Sequence, residues 1–161
     1  MIAGIGQATA KAFAEASASH LILCALEDSE LEETISSIRS SRPDVKIFSR
    51  ALNVVDDSAV STFVAEAAAW AGGRVDVLCC IAGVSPPLQS VLEGDPQRWW
   101  RGLEVNLKGV YLFAHHVLPI MREQKHGHVL FASSSIILAK SRDASCYSVG
   151  KVGVADRKSV V

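Results

Sequence analysis

Short apolar runs of strand length alternate with longer amphipathic segments along almost the whole chain, and this alternation limits the possible folds most. His20–Leu26, Val45–Ala51, Val75–Ile81 and His128–Ser133 read as strands. Gly6–Ser19, Ser29–Arg42 and Asp57–Ala71 read as helices. In the second helix Ser29 and Glu32 sit at capping-box spacing, and Leu31, Ile35 and Ile38 form the inner stripe. Pro43 ends it, and Gly72-Gly73 stops the third. Pro86-Pro87 opens a loop, Pro96–Gln124 reads as helix in two pieces, and a last helix carries Tyr147 and Lys151. Strands alternating with helices predict an α/β fold with a parallel sheet covered on both faces. Val75–Ile81, nearly all apolar, suits a central strand. Ligands of such sheets bind beyond the carboxyl ends of the strands. Gly83, Ser134 and the Tyr147 segment all fall on that rim.

Composition narrows the function. The 161 residues are enough for one domain, and 49% hydrophobic with 20% charged residues is a globular balance. The net charge of −1 comes from interspersed acids and bases, so no basic stripe points to nucleic acid. The apolar runs are strand-sized, too short to span a membrane. Met1–Gly6 lacks a basic flank and a long apolar stretch, so the chain reads as cytoplasmic, without a signal peptide. Cys24, Cys79, Cys80 and Cys146 show no metal-ligand spacing and read as small buried hydrophobes. His115 and His116 diverge on a helix, one buried and one solvated, which argues against a metal site.

The chemistry concentrates late in the chain. Tyr147 and Lys151 are four apart and share one helical face, where an ammonium lowers a phenol's pKa and makes it a usable acid or base. Ser134 stands thirteen residues before Tyr147. At the other end, Gly4-Ile5-Gly6 precedes a helix, and glycines there let backbone approach a pyrophosphate. Asn53-Val54-Val55-Asp56, Asp76–Gly83 and Val105-Asn106-Leu107-Lys108-Gly109 lie between.

Taken together and in this order, these segments resemble the classical short-chain dehydrogenase/reductases, NAD(P)-dependent oxidoreductases with a Rossmann-type fold. The resemblance covers residues 1 to about 152. It implies a catalytic set of Asn106, Ser134, Tyr147 and Lys151 acting between nicotinamide and a small alcohol or ketone. Tyr147 would exchange the hydroxyl proton, Lys151 would tune it and bond the nicotinamide ribose, Ser134 would orient the substrate oxygen, and Asn106 would place a water. Gly4, Ile5, Gly6, Glu27, Asn53, Val54, Ala82 and Gly83, with Tyr147 and Lys151, would hold the cofactor. Glu27 or Asp28, after the strand ending near Leu26, would bond the ribose 2′-hydroxyl and repel a 2′-phosphate, which leans the choice between NAD and NADP toward NAD.

Departures accompany the matches. Cys80 and Ile81 replace two asparagines, Asn53 replaces an aspartate, and the pattern is left after Gly153. Trp99-Trp100 read as core or interface anchors. The resemblance further implies one incomplete dinucleotide-binding and catalytic domain over 1–161, a doubly wound parallel sheet lacking the first, central strand and the last two strands. An intact relative would be a homo-oligomer. The alternative is a non-catalytic remnant that partners such a relative through the Asn106 and Tyr147 helices.

Overall fold

The computed structural model describes residues 4–85, 89–139 and 143–155. Met1-Ile2-Ala3, the Pro86-Pro87 turn and the segment from Asp156 lie outside the described residues. In chain order the elements are α1 (Ile5–Glu15), β1 (His20–Ala25), α2 (Asp28–Ser41), β2 (Lys46–Ala51), α3 (Asp57–Trp70) and β3 (Val77–Cys80). There follow α4 (Pro96–Leu103), a π-turn (Glu104–Lys108), α5 (Gly109–Glu123), β4 (His128–Phe131), a 3₁₀ turn (Ser135–Leu138) and α6 (Ser145–Ala155).

The strands form two parallel pairs. His20 to Ala25 align with Lys46 to Ala51, and Val77 to Cys80 with His128 to Phe131. Among the described residues no backbone hydrogen bond joins β1 to β3. Among the described residues, the two strands flanking the expected central position therefore belong to separate sheets. What connects the halves is a shared apolar layer. Ile22, Cys24 and Phe48 of the first pair and Leu78 and Val129 of the second pack on Val60 and Phe63 of α3 and on Leu112 and Val117 of α5.

Coverage differs between the pairs. Leu21, Leu23 and Ala25 bury the opposite face of β1 against Ala10 and Ala14 of α1 and Leu31 and Ile38 of α2. On β3 and β4 the matching face is open, with Val77 and Leu130 exposed. Ile47 and Ala51 of β2 pack on the same cluster as β1, so the expectation of two covered faces holds for β1 and β2 but not for β3 and β4, because an apolar run records a strand's suitability for burial and not what packs on it.

Several boundaries moved for identifiable reasons. β3 starts at Val77 rather than Val75 because the Gln124 side chain takes both backbone groups of Val75, at 3.2 and 2.7 Å. β4 stops at Phe131, and the next carbonyl, Ala132, accepts from Lys151 Nζ instead. The helix from Pro96 is one run rather than two pieces: α4 passes through the π-turn into α5. Glu27, not Ser29, caps α2, and no side-chain hydrogen bond serves that cap. Gly72 and Gly73 do end α3, both at positive φ, with the Gly73 N–H on the Ala68 carbonyl. The helix α6 also continues past Gly153, and Val154 is buried in the core.

Candidate active site

Three of the singled-out side chains meet where β3, the π-turn and α6 converge. Asn106 is fully buried at the centre of the π-turn, a distortion that often marks functional positions. Its Nδ2 donates to the Val84 carbonyl at 2.8 Å and its Oδ1 accepts from the Val84 N–H at 3.0 Å. The amide thereby pins the chain just beyond β3, next to Gly83. A Cβ placed on Gly83 would lie 2.8 Å from Asn106 Oδ1 and 3.5 Å from Lys151 Nζ. Behind Asn106, Gly150 lets α6 approach so closely that a Cβ there would lie 2.9 Å from the Asn106 Cβ.

Lys151 is buried, at 4% exposure. Its ammonium donates to the Ala132 carbonyl at 2.7 Å and lies 5.6 Å from the centre of the Tyr147 ring. Burial lowers its pKa, since the charged form loses water. Ser133 Oγ donates to the Lys151 carbonyl at 3.2 Å, so Ala132 and Ser133, just after β4, grip both ends of that residue. Ser134 Oγ accepts from the Ile136 N–H at 3.3 Å, which leaves its own hydrogen available to an outside acceptor. Tyr147 is half-buried and lines a cavity of about 220 Å³ with Trp99, Arg98, Asp95, Ala144 and Val91.

The remaining positions lie apart from this cluster. Gly4, at φ 91°, caps α1 without a side-chain bond, and a Cβ there would meet nothing within 4 Å. The N–H groups of Ile5, Gly6 and Gln7 lie in the first turn of α1, and no acidic residue occupies that turn. A helix start of this kind carries the positive pole of the helix, which favours an anion such as a diphosphate. Glu27 is exposed at the end of β1. Asn53 Oδ1 accepts from the Val55 N–H at 3.4 Å and from Arg101 at 3.5 Å. Val54 packs where a Cβ on Gly109 would come within 2.8 Å. Ala82 is exposed beyond β3.

Two histidines and two tryptophans resolve differently from one another. His115 is exposed, while His116 is half-buried and pairs with Asp57 at 2.7 Å. Trp100 is 62% exposed, whereas Trp99 reaches the start of α6. The role of Trp99, and those of Ser133 and the Ala132 and Val84 backbones, carried no signal in the sequence.

An α/β fold of parallel strands with a Tyr-x-x-x-Lys pair at the strand carboxyl rim defines a class of dinucleotide-dependent oxidoreductase folds. Comparison with known proteins agrees. The short chain dehydrogenase family model matches residues 1–158, and the chain belongs to that family. The short chain dehydrogenase mpl6 of Monascus purpureus is 32% identical over 154 residues, covering 94% of this chain and 52% of that protein. The crystal structure of levodione reductase superposes with a TM-score of 0.89 at 28% identity, over 94% of this chain and 58% of that one. A metagenomic short-chain oxidoreductase in complex with NADP gives a TM-score of 0.87 at 28% identity, over 94% of this chain and 67% of that one. The chain spans about half the length of the curated relatives it matches. Among the described residues no helix is long and apolar enough to cross a membrane.

Proposed function

We propose that this chain is an NAD(P)-dependent oxidoreductase acting between a small alcohol and its carbonyl, with Tyr147 moving the proton. The observation that carries this reading is Lys151, a buried ammonium held beside the Tyr147 ring by the Ala132 carbonyl. When bound, a nicotinamide cofactor supplies or accepts the hydride. Tyr147 gives its phenolic proton to the developing alkoxide, or takes it in the reverse direction. Lys151 supplies the positive charge that favours the phenolate, and its remaining hydrogens serve a ribose hydroxyl. Ser134 donates its free hydrogen to the substrate oxygen. Asn106 keeps one donor and one acceptor beyond those used on Val84, enough to hold a water.

The start of α1, with Gly4 at positive φ and no acidic residue in the first turn, supports a diphosphate on Gly4, Ile5 and Gly6. Asn53, Val54, Ala82 and Gly83 complete the wall. The exposed Glu27 carboxylate favours NAD over NADP, by accepting from a 2′-hydroxyl and repelling a 2′-phosphate. The test is titration of the purified chain with NADH and NADPH, followed by fluorescence and melting, then turnover of simple ketones. The reading expects a rise in melting temperature with NADH and a loss of turnover of at least about 100-fold in Tyr147→Phe. Absence of binding by either cofactor sinks it.

A second reading draws on Tyr111, Val149 and Val152, exposed on α5 and α6. They support association through those helices, with a second copy or an intact relative. Sedimentation that shows only monomers, alone and with such a relative, removes it.

A further inference from the structure

We propose that Trp99 is a positioning residue for Tyr147, clamping the first turn of α6 onto α4. The need for a clamp follows from where Tyr147 stands. α6 begins at Ser145, and its first backbone bond joins the Ser148 N–H to the Ala144 carbonyl at 2.9 Å. The amides of Ser145, Cys146 and Tyr147 precede it in the first turn and have no partner within the helix. A helix end of this kind opens far more readily than its middle. Lys151 lies one turn deeper, where the ladder is complete.

Trp99 supplies what the backbone does not. Its indole Nε1–H donates to Ser145 Oγ at 2.9 Å, and its carbonyl accepts from the Cys146 thiol at 2.9 Å. One residue thus grips both residues immediately before Tyr147. Cys146 is buried, and burial raises its thiol pKa, so it keeps the hydrogen that this contact uses. A further bond, from the Gln89 N–H to the Asp143 carbonyl at 2.9 Å, steadies the approach to the helix. Trp99 is itself anchored, because α4 runs unbroken into the π-turn that buries Asn106. The cavity between Trp99 and Tyr147 gives an unclamped first turn room to move.

The clamp is tested without turnover, and its catalytic consequence rests on the oxidoreductase reading above. Trp99→Phe keeps the ring and removes the donor; Ser145→Ala removes the acceptor; Ser145→Thr keeps it. Hydrogen exchange of the Ser148 amide, whose bond to Ala144 closes the first turn, should accelerate about 3- to 10-fold in the first two, with α5 unchanged and the threonine variant like wild type. The double variant should be no worse than either single change. In turnover, kcat should fall by a similar factor with KM within about twofold, and Ser145→Thr should restore it. Wild-type exchange in both Trp99→Phe and Ser145→Ala overturns the clamp. Acceleration spread equally over α5 also overturns it, because Trp99 is then a general packing residue. If the wild-type chain turns over no carbonyl with NADH or NADPH, the oxidoreductase reading fails while the exchange data still decide the clamp.

Discussion

Gly83→Ala offers a sharp test of how the site is assembled. Gly83 has an ordinary negative-φ backbone, so an alanine there costs nothing in local strain and everything in space. Its methyl would arrive 2.8 Å from Asn106 Oδ1, closer than such contacts allow. Asn106 cannot swing aside freely, because its amide is held by two hydrogen bonds to Val84. Each such bond contributes about 0.5–1.5 kcal/mol, so displacing the amide costs about 1–3 kcal/mol. Urea denaturation followed by tryptophan fluorescence measures that loss. Asn106→Ala removes the obstacle together with its bonds, and in that background Gly83→Ala should cost under about 0.5 kcal/mol, a coupling of about 1–3 kcal/mol. Gly150→Ala is the internal control. Its methyl would meet the Asn106 Cβ at 2.9 Å, an atom that alanine retains. Its effect, including any gain in helix propensity, should therefore be the same in both backgrounds within about 0.5 kcal/mol. If Gly83→Ala costs as much in the Asn106→Ala background as in the wild-type chain, the packing account of the site is wrong.

Burial lowers the native pKa of Lys151 below its ordinary 10.5, so between those two values the unfolded chain binds more protons than the folded one. Stability relative to Lys151→Met should rise with pH across that window and be flat below it, as read from paired urea titrations. Cys24, whose thiol pKa is pushed up to about 12 by burial, should resist iodoacetamide at pH 8 in the folded chain and react only after unfolding, as mass spectrometry would record. Glu27→Arg should shift cofactor preference toward NADPH by at least about tenfold in the ratio of dissociation constants, because a cation then faces the 2′-phosphate.

Sequence and structure agree where physics is local. The four strands and the glycine-stopped α3 follow from apolar period and chain punctuation within a few residues, whereas the cap read at Ser29 falls on Glu27. The pairing of Tyr147 with Lys151 follows from helical spacing, and the structure does bring the ammonium to the ring. What was not legible depends on partners distant in the chain. Asn106 reaches Val84 across 22 residues, and Trp99 reaches Ser145 across 46. The π-turn has no local signature; Asn106 at its centre is buried and bonded to Val84, far away in the chain. The shortening of β3 required knowing that Gln124 would occupy the Val75 backbone. Likewise, the reading of Ser134 over its neighbour rested on spacing alone, and could not foresee that Ser133 would tie down the Lys151 carbonyl.

The division of the strands into two pairs bears directly on how the candidate site works. Every group assigned to proton transfer sits on the second half: Asn106 in the π-turn, Ser134 after β4, and Tyr147 and Lys151 on α6. Their mutual geometry is fixed by contacts among β3, β4, the π-turn and α6, none of which involves β1. The start of α1 and the Glu27 carboxylate belong to the first half. A dinucleotide that uses both would therefore bridge two strand pairs that share no hydrogen bond among the described residues. Their relative placement depends on the apolar layer of α3 and α5, in which Phe63 and Leu112 share one cluster with Ile22 and Leu78. Apolar packing is less directional than a strand ladder, so it holds the halves together while defining their spacing less sharply. Damage to that layer should thus weaken cofactor binding before it disturbs Tyr147. Phe63→Ala, costing about 3–5 kcal/mol of packing in a chain of ordinary stability, is the substitution that separates the two effects.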